Sequence, residues 1–137
     1  IENDIYGRFQ MLSPVAASAW RDMKAQAEKE SVVLYVVSAF RVVEKQREII
    51  SNKIKSGQAI SEILQVCAAP GYSEHHTGKA LDLTSTGCDP LTEEFENTEA
   101  FSWLIENANY YSFSLSFPKG NNAGISYEPW HWAYNQK

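Results

Sequence analysis

The stretch Ser73–Thr84, SEHHTGKALDLT, decides the reading of the fold. In its second half, Ala80 to Thr84 alternates as a short strand does: Leu81 and Leu83 fall on one face and point into the core, while Ala80 and Asp82 share the other. Asp82 is thereby mounted on a rigid support. The first half carries His75 and His76, and the third and last histidine, His131, lies in EPWHW, Glu128–Trp132. Gly78 and Ala80 are small, which reads as room kept open between the His75 loop and the strand.

Working outward, Val32 to Ala39 is apolar and β-branched nearly throughout, so it is expected to be a central strand buried on both faces. Ser13-Pro14 starts a first helix running to about Glu30, with Val15, Ala19, Trp20, Met23 and Ala27 along its inner face. Val43, Arg47, Ile50 and Ile54 mark an amphipathic helix from Val43 to Lys55, closed by Ser56-Gly57. A shorter helix covers Ala59 to Val66, a loop follows Pro70-Gly71, and another spans Ser85 to Pro90. Thr98 caps a helix from Glu99 to about Tyr110, its inner face formed by Phe101, Leu104, Ile105 and Ala108. Strands at Phe113–Phe117 and Trp130–Tyr134 surround a Lys119–Gly124 turn. The fold class is α+β, with helices packed on one side of a small, largely antiparallel sheet.

The 137 residues suit a single domain, and 44% hydrophobic with 12% aromatic residues supply a core. A net charge of -5 and the lack of a basic stripe argue against nucleic acid as partner. No apolar run approaches the ~20 residues of a membrane span. The chain opens Ile1-Glu2-Asn3-Asp4 with no initiator Met, as a trimmed or a mature form does, so any signal peptide or anchor would lie upstream. Cys67 and Cys88 bracket the histidine segment and are compatible with a disulfide or with two buried thiols.

All three histidines fall in two short segments beside carboxylates. A catalytic zinc takes three protein ligands from His and Asp/Glu and leaves a fourth position open, and His75, Asp82 and His131 supply that number. His76 is the alternative to His75. A structural zinc would need four Cys/His ligands, and the cysteines are too few and too distant. Glu128 and His131 are three apart and would face opposite ways on a regular strand, but a bend at Pro129 brings them together, with Trp130 and Trp132 packed behind. Glu128 is then the candidate general base, and Arg41, directly after the Val32–Ala39 strand, the candidate cation for a developing oxyanion.

These residues resemble the zinc D-alanyl-D-alanine carboxypeptidases and dipeptidases of the VanY, VanX and LdcB group. The motif S-x-H-x-x-G-x-A-x-D is filled by Ser73, His75, Gly78, Ala80 and Asp82, and E-x-x-H by Glu128 and His131. A segment like S-G-Y-R-S-x-x-x-Q is matched by Ser38-Ala39-Phe40-Arg41 and Gln46, with Ala39 and Val42 departing from it. The resemblance runs from about Phe9 to Tyr134. It implies one zinc ion on His75, Asp82 and His131, Glu128 as base, substrate contacts from Arg41, Gln46 and Ser73, and export to the periplasm or cell surface. The expected activity is removal of terminal D-alanine from peptidoglycan stem peptides by a monomer. A dipeptidase would need a lid, for which no long inserted loop is seen. The other readings are a stem-peptide endopeptidase and a wall-binding relative without activity.

Overall fold

A computed structural model describes residues 2–66, 74–120 and 126–135. Cys67, Ser73 and most of the expected Lys119–Gly124 turn lie outside them, and Cys88 carries a free thiol. In chain order the elements are β1 Glu2–Asn3, β2 Phe9–Gln10, α1 Pro14–Lys29, β3 Tyr35–Ser38, α2 Val43–Lys55, α3 Ile60–Val66, β4 Ala80–Thr84, α4 Glu99–Asn107, β5 Phe113–Leu115 and β6 His131–Tyr134. The main sheet is antiparallel throughout, in the order β3-β4-β6-β5. No helix among the described residues is long and apolar enough to cross a membrane.

The expectation that Val32–Ala39 is central is corrected: β3 is the edge of the four-stranded sheet, and the strands buried at every position are the two central ones, β4 and β6. Val33 and Tyr35 stand 40% and 42% exposed, so the segment alternates despite its uniform apolar composition. Only a bulge between Val36 and Ser38 turns successive residues inward. The small β1–β2 ribbon shields this edge, with Ile5 N–H donating to the Val36 carbonyl at 3.0 Å.

One face of the sheet, built from Val36, Leu81, Leu83, Trp132 and Tyr134, packs against Trp20 and Met23 of α1 and Trp103 and Leu104 of α4. On α1 the expected Trp20, Met23 and Ala27 are buried, whereas the start of that helix and the face of α4 depart from the sequence reading. On α1, Ala16 and Ala17 are buried and Val15 is exposed; on α4, Ala100 and Trp103 point inward and Ile105 outward. The large indole of Trp103 fixes the rotation of α4, because burying it removes more apolar surface than burying Ile105. On α2 the buried side chain is Gln46, while Arg47 and Ile54 face solvent.

Gly78 serves a different purpose from the one its size suggested. Its φ is +72°, its carbonyl accepts from Ser13 N–H at 2.8 Å, and a Cβ there would lie 3.1 Å from that nitrogen. The glycine therefore allows the start of α1 to dock beside the entry to β4. Ser13 precedes Pro14 as a cap residue should, but its hydroxyl makes no cap bond. Gly57, with φ +95° and nothing within 4 Å, shares the backbone requirement without the contact. Gly78→Ala should cost about 1–2 kcal/mol more in urea unfolding than Gly57→Ala, and equal losses would show that the Ser13 contact is unimportant.

Candidate active site

Asp82 on β4 stands directly opposite His131 on β6, and Ser38 on β3 stands opposite Asp82. Residues in direct register share a face, so Ser38, Asp82 and His131 form a row across three strands, on the face away from the core. Trp132, next along β6, takes the other face and is buried in the core with Trp130 packed against it. His75 joins the row from a single helical turn, Glu74–Thr77, just ahead of β4. Its Nε2 lies 3.3 Å from Asp82 Oδ2, and His131 Nδ1 lies 3.1 Å from Asp82 Oδ1. One ligand-type atom from each of His75, Asp82 and His131 lies within 4.8 Å of the other two, and all three residues are buried.

Glu128 reaches the same place through a turn at Pro129. His131 N–H donates to the Glu128 carbonyl at 3.2 Å, Glu128 N–H donates to the Phe117 carbonyl at 3.0 Å, and the Trp132 indole donates to the Pro129 carbonyl at 3.0 Å. The Glu128 carboxylate thereby comes within 3.8 Å of His131 Nδ1. The preceding residue is pinned too: the Tyr127 hydroxyl bonds to Glu96, and the Lys119 ammonium sits 5.2 Å above the Tyr127 ring while pairing with Glu96 at 3.3 Å.

Each remaining ring nitrogen has an acceptor. His75 Nδ1 is 2.7 Å from the Ala39 carbonyl, which can only accept, so Nδ1 donates to it and Nε2 is the nitrogen that faces Asp82. His131 Nε2 is 2.8 Å from Glu74 Oε1. His76 points away from the cluster, its Nδ1 bonding the Arg41 carbonyl at 2.7 Å. Arg41 is held from three sides: its backbone N–H donates to the His75 carbonyl, and its guanidinium donates to Gln46 Oε1 at 2.8 Å and Ser38 Oγ at 3.0 Å. Gln46 is 1% exposed, so it stands behind Arg41. Ser73 lies outside the described residues.

The charges follow from this packing. Burial alone would raise the Asp82 carboxyl, but the charge of His75 and hydrogen bonds from both imidazoles hold it well below the carboxylate range. Burial opposes charge on His131 as well, and hydrogen bonds to Asp82 and Glu74 overcome it, pushing the imidazole up to about 10. Burial pushes Glu128 up to about 7; Asp82 and Glu74 add to the rise, while His131 and Arg41 oppose it. A carboxyl poised near neutrality beside two imidazoles and an ionised carboxylate is suited to proton transfer at physiological pH.

The donor set fits one zinc ion. Two imidazoles and a carboxylate converge, Nε2 of His75 faces the cluster, and no fourth protein group among the described residues closes the set. Glu74 bonds the nitrogen of His131 opposite the one facing Asp82, and Glu128 stands beside the cluster as a further carboxylate. Sequence reasoning missed Glu74 and Ser38. Glu74 adjoins His75, but nothing in the spacing says that its side chain crosses to His131; Ser38 was matched in the S-G-Y-R-like segment but was given no role.

The model of the VanY family, D-alanyl-D-alanine carboxypeptidase, matches residues 10–137. The chain belongs to this family. A D-alanyl-D-alanine carboxypeptidase of Enterococcus faecalis is 33% identical over 124 residues, covering 83% of this chain and 44% of that protein, so the chain spans under half its length. The LdcB LD-carboxypeptidase superposes with a TM-score of 0.86 at 32% identity, over 98% of this chain and 64% of that one. The VanY D,D-pentapeptidase, solved with Zn(II), superposes with a TM-score of 0.75 at 28% identity, over 97% of this chain and 76% of that one. The α+β fold read from the sequence is the fold these VanY-family neighbours share.

Zinc needs the lone pair of His131 Nδ1, which is protonated at neutral pH in the metal-free site, and a nearby cation drives the remaining proton from Glu128. Calorimetry of zinc binding at pH 7 in buffers of different ionisation enthalpy should therefore report roughly one to two protons released per ion, with affinity rising as pH rises. Binding without proton release would contradict this account of the site.

Proposed function

We propose that this chain is the catalytic part of a zinc carboxypeptidase that hydrolyses the terminal D-alanine from peptidoglycan stem peptides. The observation that carries the proposal is the juxtaposition of a three-donor cluster with a carboxyl raised to about 7. His75, Asp82 and His131 would hold the ion. Bound zinc polarises the scissile carbonyl and acidifies the water at its open position.

Glu128 takes a proton from the attacking water and passes it to the departing amine, so that the C–N bond breaks, a C–O bond forms, and D-alanine leaves as a neutral amine before ionising. Phe117, whose ring lies 4.9 Å from that of His131, packs beside the donor cluster. Arg41 offers a fixed guanidinium to the developing oxyanion or to the substrate's terminal carboxylate. Gln46 contributes by holding that guanidinium, and Ser73 is assigned a substrate contact. Wall peptides as substrate support action outside the cytoplasmic membrane, and a monomer is the reading to test. Likeness to both an LD-carboxypeptidase and a D,D-pentapeptidase supports the reaction class without choosing the bond.

Mass spectrometry of products from synthetic tetra- and pentapeptide stems should show loss of a single D-alanine that stops with chelator and returns with zinc. Binding without release would favour a wall-binding module, and internal cleavage an endopeptidase. Glu128→Gln should retain zinc and lose turnover by about 10²–10⁴-fold. A Glu128→Gln protein with wild-type turnover would remove that residue as the base.

A further inference from the structure

A histidine serves a metal through one nitrogen only when the proton sits on the other, and the ring can present either nitrogen by a half-turn. For His75 the choice is made by a backbone carbonyl, as the Ala39 contact shows. For His131 no backbone acceptor plays that part. Its Nδ1 faces Asp82 at 3.1 Å, and its Nε2 faces Glu74 Oε1 at 2.8 Å. A carboxylate accepts and cannot donate, so Asp82 and Glu74 each face a protonated nitrogen; when Nδ1 gives up its proton to an ion held with Asp82, the Glu74 contact keeps the other proton on Nε2.

Glu74 is held for this task. It opens the Glu74–Thr77 turn, whose Thr77 hydroxyl donates to the Glu74 carbonyl at 2.6 Å. Its carboxylate also accepts from the Ser116 hydroxyl, on the segment that follows β5. The side chain is 40% exposed and belongs to neither the core nor the donor cluster, so packing alone does not account for its orientation.

We propose that Glu74 is a positioning residue: it fixes the tautomer and ring orientation of His131 so that Nδ1, and not Nε2, is offered to the ion. The inference rests on the reading that His75, Asp82 and His131 hold zinc. It links the two histidine segments, since the residue beside His75 orients His131.

The test compares wild type, Glu74→Ala and Glu74→Gln by competition for zinc against a chromophoric chelator, with long-range 1H–15N spectra of the zinc-loaded proteins. Wild type should show His131 bound through Nδ1 with its proton on Nε2. Glu74→Ala should bind zinc about 10–100-fold more weakly. Glu74→Gln keeps an acceptor oxygen without the charge and should recover part of the loss while preserving the Nε2–H signal. Wild-type zinc affinity in Glu74→Ala, or wild-type binding through Nε2, would overturn the role of Glu74 while leaving the zinc reading intact. A wild type that binds no zinc would defeat both readings, and that outcome is distinct from the others.

Discussion

Asp82 and His131 face each other across the antiparallel pairing of β4 and β6, and that register places everything else at the site. The period of two along each strand sends Leu81, Leu83 and Trp132 into the core while turning the aspartate and the histidine to the opposite face. A slip of one residue would bury the ligands and expose the core together. Register is therefore strongly specified by apolar burial, and the site takes its geometry from the same forces that fold the sheet.

Burying this much polarity is costly unless every group has a partner. His75, Asp82, Glu128 and His131 are each less than a tenth exposed. The structure answers with a closed set of contacts: Ala39 on His75, the two imidazoles on Asp82, Glu74 on His131, and Ser38 with Gln46 on Arg41. These supports also fix which atoms point inward. Glu128 is the one carboxyl of the set pushed to near neutrality, because burial and neighbouring carboxylates outweigh the attraction of His131 and Arg41. That imbalance suits Glu128 to the proton-transfer role proposed for it.

Much of this was legible in the sequence because the chemistry is compressed into two short segments. Alternation in ALDLT located β4 and its polar face, and Pro129 signalled the turn that lets Glu128 and His131 meet despite their spacing. Other features turn on packing that periodicity does not contain. The uniform run Val32–Ala39 hid an edge strand, because β-branched residues suit a half-exposed strand as well as a buried one. The rotation of α4 depended on the indole of Trp103 finding the core. The need for Gly78 came from Ser13, 65 positions away in the chain, and the role of Glu74 from a contact spanning 57 residues.

The central claim is that His75, Asp82 and His131 bind one ion and leave one position open toward Glu128. Crystallography of the zinc-loaded protein with anomalous data collected on both sides of the zinc edge tests it directly. The account predicts a single peak bonded to His75 Nε2, an Asp82 oxygen and His131 Nδ1, with solvent as the fourth ligand near the Glu128 carboxylate. A peak elsewhere, or one closed by a fourth protein group such as Glu74 or Glu128, would contradict it.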